Sequence, residues 1–465
     1  MRNIVLITID SLRYDAISDE YTPFISRLKD KGLFFERAYS LSSWTSPSVV
    51  GMLTSTYPLM YGGDLRIRYP RVSVAEILKS EGYATLGFTF HPYLDNKYGF
   101  GRGFDVYYDE IRASDLEGMS NSSQSKIVGV IKKVYDSKLM PKMLRNYIWL
   151  RMLYRRIVNR KLPYVPGFEI NTMVKDHLED MEEPFFLWVH YLDTHFPYVP
   201  LESDKSMDRI AKVNVEREKW FKFGRSIDKH ILNELKELYL IKTKEVDKYV
   251  GDLVNYFKEI GLYKDTIFVI TSDHGEEFYE HGGFHHEMKL YEELIHVPLV
   301  IIGNKLKSKV ISANVSHIDL FPTIFDILGI PKPREWIGKN MLLNKSHIVF
   351  SEEGQKHYGS AFVDHTVRLD ISFAKIAILF DEWKYIRGSD SEELYNLERD
   401  PTESLDLAGN SEYGNILDAF RNLYKRHLET VKTATPEKFI VSRVVKKRIV
   451  KYDRPVEKGF ENNKL

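Results

Sequence analysis

A chain of 465 residues, 43% apolar and 13% aromatic, can bury a sizeable core and is long enough for one large domain with a smaller companion. Lys plus Arg and Asp plus Glu both total 66, so the overall charge gives no reason to expect nucleic acid, and any basic surface must be local. Cysteine is absent, which excludes disulfides, thiolate ligands, a thiol nucleophile and a cysteine-derived cofactor.

The first apolar run starts at residue 4, leaving no room for a charged start, an apolar stretch and a cleavage site, and no run is long enough to span a bilayer. The expected location is therefore the cytoplasm. Short, almost continuously apolar runs predict strands over 4–9, 84–90, 184–190, 266–271 and 297–302, as strands buried on both faces should read. Helical periodicity over 23–31, 73–81, 171–180 and 229–260 alternates with them, which argues for an α/β fold with a mainly parallel central sheet covered on both faces.

The stretch 120–166 carries no motif. Between Lys126 and Lys161 it holds eleven Lys or Arg against one acid, Asp136, interleaved with aromatics such as Tyr147, Trp149 and Tyr154. It reads as a helical insertion packing its aromatics inward with a solvated basic face, or as a lid giving peripheral contact with an anionic membrane. A helix over 320–328 and the Pro331-Lys332-Pro333 break close a first domain spanning 1–344. Strand-like runs at 347–351, 371–380 and 383–386, then a helix over 415–430, form a C-terminal unit spanning 345–435, followed by a basic tail over 436–465.

Three predicted strands end in residues suited to chemistry: Asp10, the segment from His190 to His195, and Asp273-His274. In open α/β sheets ligands bind at the carboxyl ends of strands, so these segments can converge. Hard oxygen and imidazole donors at rigid rims would suit a divalent cation facing an anionic ester. Asp10 as a cap and Asp273-Gly275 as a turn is the competing account. Lys289, after a glycine-punctuated loop with His281, His285 and His286, can hold a tetrahedral anion or simply be a solvated lysine. Ser42 to Ser48 reads as a tight turn into a helix over 49–54. A Thr45 hydroxyl there meets free N–H groups and a positive dipole, although capping alone accounts for such a residue.

The ordered set Ile7-Thr8-Ile9-Asp10-Ser11-Leu12-Arg13, Leu53-Thr54-Ser55-Thr56-Tyr57-Pro58, His190 to Pro197, Ser272-Asp273-His274-Gly275-Glu276, Lys289 to Glu293 and His317 to Thr323 resembles the sulfatase family, and the likeness runs to about residue 410. The resemblance implies an alkaline-phosphatase-like α/β/α sandwich with a small C-terminal antiparallel sheet and helix. It implies Asp10, Asp273, His274 and Thr45 around one divalent metal ion, Ca2+ in the family, with Mn2+, Mg2+ or Zn2+ as alternatives. It places His195 beside the leaving-group oxygen and Lys289 on the anion, making Thr45, His195 and Lys289 the catalytic set. The chain departs from the family's Cys/Ser-x-Pro-x-Arg signature, having Thr45, Ser46, Pro47, Ser48 and Val49, so formylglycine is excluded at Thr45 and the arginine is missing. Asp10-Ser11 stands where many members have two aspartates, and His91 follows where a Gly-Lys-Trp-His stretch is usual.

The expected activity is metal-dependent hydrolysis of a phosphate or sulfate ester through a covalent Thr45 intermediate, phosphoester or phosphonate chemistry being preferred. The anionic ester is expected on a glycan or a lipid. The alternatives are a phosphoglycerol- or phosphoethanolamine-type transferase and a non-catalytic anion-binding member. His190, Asp193, His285 and His286 leave room for a second metal.

Overall fold

The computed structural model describes residues 2–109, 164–179, 181–201, 203–223, 227–286, 289–304, 306–343, 347–354 and 368–434. Nearly all of the basic insertion, the interdomain boundary near 345 and the tail lie outside these residues. The main sheet holds eight strands: β1 (Asn3–Ile9), β2 (Leu33–Tyr39), β3 (Ala84–Phe88), β4 (Val106–Tyr108), β5 (Phe185–Tyr191), β6 (Thr266–Ser272), β9 (His296–Gly303) and β10 (Lys309–Ser316). Between β6 and β9 lies a short hairpin, β7 (Glu277–Phe278) and β8 (Phe284–His285).

The spatial order is β10-β2-β9-β6-β1-β5-β3-β4, parallel throughout except for β9, which runs antiparallel to both β2 and β6. Five strands therefore lie where the apolar runs put them. β2, β4 and β10 are additions that the runs did not announce. In β10 several side chains remain exposed, so its sequence lacks the continuous apolar run that marks a strand covered on both faces.

Helices cover both faces: α1 (Pro23–Arg27), α2 (Thr45–Thr54), α3 (Val74–Ser80), α4 (Gly167–Leu178), α5 (Met207–Phe223), α6 (Lys229–Glu259), α7 (Glu292–Ile295), α8 (Leu320–Leu328) and α9 (Gly414–Thr433). Strand alternation divides the interior. Ile4 and Leu6 join one hydrophobic core, while Val5, Ile7 and Ile9 join the other on the opposite face. The predicted helix over 23–31 is shorter, because α1 ends at Arg27 in a 3-10 turn, Leu28–Asp30. The α5 helix was not anticipated.

The C-terminal sheet is antiparallel, ordered β11 (Val349–Glu353), β12 (Lys375–Phe380), β13 (Trp383–Arg387) and β14 (Glu392–Asn396). The run expected over 371–380 is strand only from Lys375, since Ile371–Phe373 is a 3-10 turn capped by Asp370. The helix α9 packs Leu417, Phe420 and Val431 inward beside this sheet. No helix among the described residues is long and apolar enough to cross a membrane.

Register sets the location of the site. Ile9 pairs with Tyr191 on one side and Ser272 on the other, so residues 10, 192–195 and 273–274 leave the sheet at one rim. β3 lies beside β5, and three residues past its end comes His91.

Candidate active site

Backbone contacts lock the rim before any ligand is considered. Asp10 N–H donates to the Tyr191 carbonyl at 2.9 Å, and Ser272 Oγ donates to the Ile9 carbonyl at 2.6 Å while accepting from Leu12 N at 2.9 Å. Ser11 takes a left-handed φ of 61° and donates its hydroxyl to Asp10 Oδ1 at 2.8 Å. The residue that replaces a second aspartate thus orients the first.

The helix α2 starts at Thr45 itself, with Trp44 as its N-cap and no side-chain capping bond. Ser48 closes the preceding turn: its Oγ donates to the Ser42 carbonyl at 2.8 Å and accepts from Ser42 N at 3.1 Å. The capping account of Thr45 therefore fails. Its Oγ1 lies 3.4 Å from Asp10 Oδ2 and 3.2 Å from His274 Nε2.

Asp10, Asp273 and His274 are fully buried, and one ligand atom from each lies within 4.8 Å of the others. This is the one such group of three among the described residues, so the second metal considered from sequence gains no ligand set there. His274 Nδ1 is 2.8 Å from the Gly275 carbonyl, which can only accept, so Nδ1 carries the proton and Nε2 presents a lone pair. Burial, helped by neighbouring His286, depresses the His274 pKa to about 3, leaving a neutral imidazole suited to ligation. Burial and the charge of Asp10 push the Asp273 carboxyl well above its usual range, and its Oδ2 has no hydrogen-bond partner. Asp10 goes the other way: burial opposes ionisation, but His195, His190, His274 and His91 together hold it well below the usual range. Two buried carboxylates with an orphaned oxygen and a neutral imidazole fit a divalent cation, which would offset the carboxylate repulsion.

Further histidines ring this group. His190 Nε2 lies 3.4 Å and His91 Nε2 3.7 Å from Asp10 Oδ2. His91 Nδ1 accepts from Tyr93 N at 3.1 Å, so in the neutral ring Nε2 bears the hydrogen and the ring acts as a donor. His195 is positioned by Nδ1 against the Phe196 carbonyl, and its ring centroid is 6.2 Å from His91 and 5.4 Å from His286. The side chain of His285 lies outside the description.

Lys289 departs from expectation. Its Nζ meets Glu277 Oε1 and Oε2 at 2.9 and 2.8 Å and the His281 carbonyl at 2.8 Å. Among the described residues it makes no hydrogen bond or ion pair with Thr45 or the buried acids, and the β7–β8 hairpin engages its charge. Sequence reasoning also missed Arg217 and Lys242, both almost fully buried. Arg217 packs over the Phe196 ring at 3.8 Å with Nη2 3.8 Å from Glu276 Oε1. A signal was present: each occupies a position in the apolar stripe of its helix, Arg217 after Ile210 and Val213, Lys242 after Leu235, Leu238 and Tyr239.

Comparison with known proteins decides the family. The Sulfatase family matches residues 2–330, and a second family, N-sulphoglucosamine sulphohydrolase, C-terminal, matches residues 279–431. The chain belongs to the sulfatase family. Arylsulfatase K of Canis lupus familiaris is 24% identical over 441 residues, covering 87% of this chain and 79% of that protein. Arylsulfatase K of Bos taurus is 31% identical over a shorter 191-residue stretch, 40% of this chain and 35% of the relative. Among solved structures, the phosphonate monoester hydrolase of Agrobacterium radiobacter superposes with a TM-score of 0.64 at 18% identity, covering 93% of this chain and 95% of that one. A 2-O GAG sulfatase gives 0.67 at 17% identity, covering 96% of each. These likenesses establish the fold, and family membership makes the chain a sulfuric ester hydrolase.

Proposed function

We propose that this sulfatase-family chain is a metal-dependent hydrolase in which Thr45 attacks a tetrahedral anionic ester, with phosphorus esters preferred to sulfate. One observation carries the reading: Thr45 Oγ1, in the first turn of α2, faces both Asp10 Oδ2 and His274 Nε2. Asp10, Asp273 and His274 would hold the cation with Thr45 Oγ1 beside it. Calcium follows from family resemblance, while an imidazole donor also suits zinc, and carboxylates suit manganese or magnesium. When bound, a divalent cation lowers the pKa of a neighbouring hydroxyl and withdraws charge from ester oxygens.

Thr45 Oγ1, as the alkoxide that a bound cation would favour once its proton is lost to water, attacks phosphorus in line, supported by the positive end of the α2 dipole, and the bond to the departing alcohol breaks opposite it. His195 supplies the proton. With Nδ1 engaged by the Phe196 carbonyl, Nε2 is the nitrogen able to transfer it. Burial lowers the His195 pKa, and the negative charge of an arriving ester opposes that shift. Water then attacks the tetrahedral centre of the Thr45 ester, releasing the acid and restoring the hydroxyl. The hydrogen on His91 Nε2 supplies a further donor for the anion.

The preference for phosphorus rests on this second step. A sulfated formylglycine expels sulfate by collapse of its hemiacetal, whereas a threonine ester must be broken at the tetrahedral atom, and phosphorus accepts that attack more readily. The name shared by the arylsulfatase K relatives and the glycan sulfatase among the structural neighbours favour a second reading, a sulfate ester on a glycan.

A matched panel of aryl phosphate monoester, phosphodiester, phosphonate monoester and sulfate ester, assayed with each metal, separates the two. Phosphorus-ester turnover reduced on the order of 10²–10⁴-fold in Thr45→Ala supports the proposal. Turnover of sulfate alone installs the second reading. Unchanged activity in the variant removes Thr45 as nucleophile, and dependence on an added sugar or lipid alcohol identifies a transferase.

A further inference from the structure

The segment that carries His195 is clasped at both ends by one buried cation. Lys242 on α6 has no exposed side-chain surface and places Nζ 3.0 Å from Asp193 Oδ1 and 2.6 Å from Glu245 Oε2. Asp193 stands two residues before His195, and its other oxygen accepts from Gly167 N at 2.9 Å, at the start of α4. Glu245 reaches forward: its Oε1 accepts from Leu201 N, six residues after His195. Both carboxylates thus use one oxygen on the lysine and the other on backbone. Burial opposes the ammonium charge, but Asp193 and Glu245 outweigh it and keep Lys242 protonated.

A fully buried lysine is costly to place, and a stripe position on α6 would accept leucine for packing alone. We propose that Lys242 is a positioning residue for the reaction, fixing His195 Nε2 against the leaving-group oxygen by joining the ends of the 193–201 segment through Asp193 and Glu245. This rests on the reading of His195 as the proton donor.

A displaced acid has a specific kinetic signature. Esters whose alcohol departs easily need little protonation, so they tolerate its displacement, whereas esters of basic alcohols do not. The test is the dependence of log kcat/KM on the leaving alcohol's pKa, measured with aryl and alkyl esters of the acid class that the chain turns over. The proteins compared are the parent chain, Lys242→Met, Glu245→Gln and His195→Ala.

Lys242→Met is expected to lose on the order of 10²-fold with the alkyl ester and far less with the nitrophenyl ester, steepening the slope towards that of His195→Ala. Glu245→Gln keeps the lysine paired to Asp193 and shows the same trend more mildly, which serves where Lys242→Met does not fold. A uniform loss across all alcohols, with His195→Ala steepening the slope, overturns the role of Lys242 while leaving His195 as the acid. An unchanged slope in His195→Ala overturns the acid assignment and the positioning role with it.

Discussion

At the scale of single residues, the site depends on how closely backbone approaches it. Gly275 follows Asp273 and His274, the proposed ligand pair, donates its N–H to the Leu294 carbonyl at 2.7 Å and supplies the carbonyl that sets the His274 tautomer. A Cβ there would lie 2.0 Å from the Glu293 carbonyl oxygen, a backbone atom that cannot rotate aside. Gly275→Ala is expected to cost about 1–3 kcal/mol in a denaturant titration. It should also weaken Mn2+ binding in calorimetry, because His274 moves with the strained peptide. Unchanged binding would show that the ligand pair does not depend on this contact. The acids and His274 were legible in the sequence because they follow directly on strands whose apolar runs are unmistakable. The pairing of Lys289 with Glu277 was not legible for a physical reason: the two are twelve residues apart, and the β7–β8 hairpin that joins them spans only two residues on each side.

At the scale of elements, α3 shows the sequence specifying structure in full. Ser73 accepts from Glu76 N at 3.2 Å while Glu76 Oε2 accepts from Ser73 N at 2.9 Å, a reciprocal capping box at the start of Val74–Ser80. Ser73→Ala is expected to lower stability by about 1 kcal/mol in urea unfolding without altering metal binding, since α3 carries no site residue. A loss of metal affinity would place α3 closer to the site than these contacts do. The strands β2 and β10 illustrate the opposite case. β2 carries Glu36 and Arg37 within Leu33–Tyr39, and β10 exposes Lys309, Val310 and Ser312 in its first half, so a search for strands covered on both faces passes over them. The antiparallel direction of β9 was illegible too, because a buried run such as Val297 to Ile302 has the same composition whichever way it points.

At the scale of the whole molecule, the C-terminal sheet is tied to the catalytic sheet by a buried charge cluster. Lys384 on β13 lies 3.0 Å from Glu292 Oε1 on α7 and 2.8 Å from Glu403 Oε1, with no exposed side-chain surface of its own. Apolar contact among Tyr39, Leu294, Val349 and Leu379 surrounds the same junction. Lys384→Met strands two carboxylates and is expected to destabilise the chain by about 3–5 kcal/mol, read from thermal or chemical unfolding. A change near zero would mean that the apolar contact alone holds the junction. The small antiparallel sheet was legible in the strand-like runs after Pro331-Lys332-Pro333, but the lysine that ties it to the main sheet was not, because its partners lie on a distant turn and helix. The central claim concerns one atom, Thr45 Oγ1, and the most direct measurement is a rapid acid quench during turnover followed by peptide mass mapping. The account predicts that the peptide containing Thr45 gains the mass of one transferred phosphoryl, phosphono or sulfuryl group, located on the threonine. The same group found on another residue, or full turnover by Thr45→Ala, would contradict it.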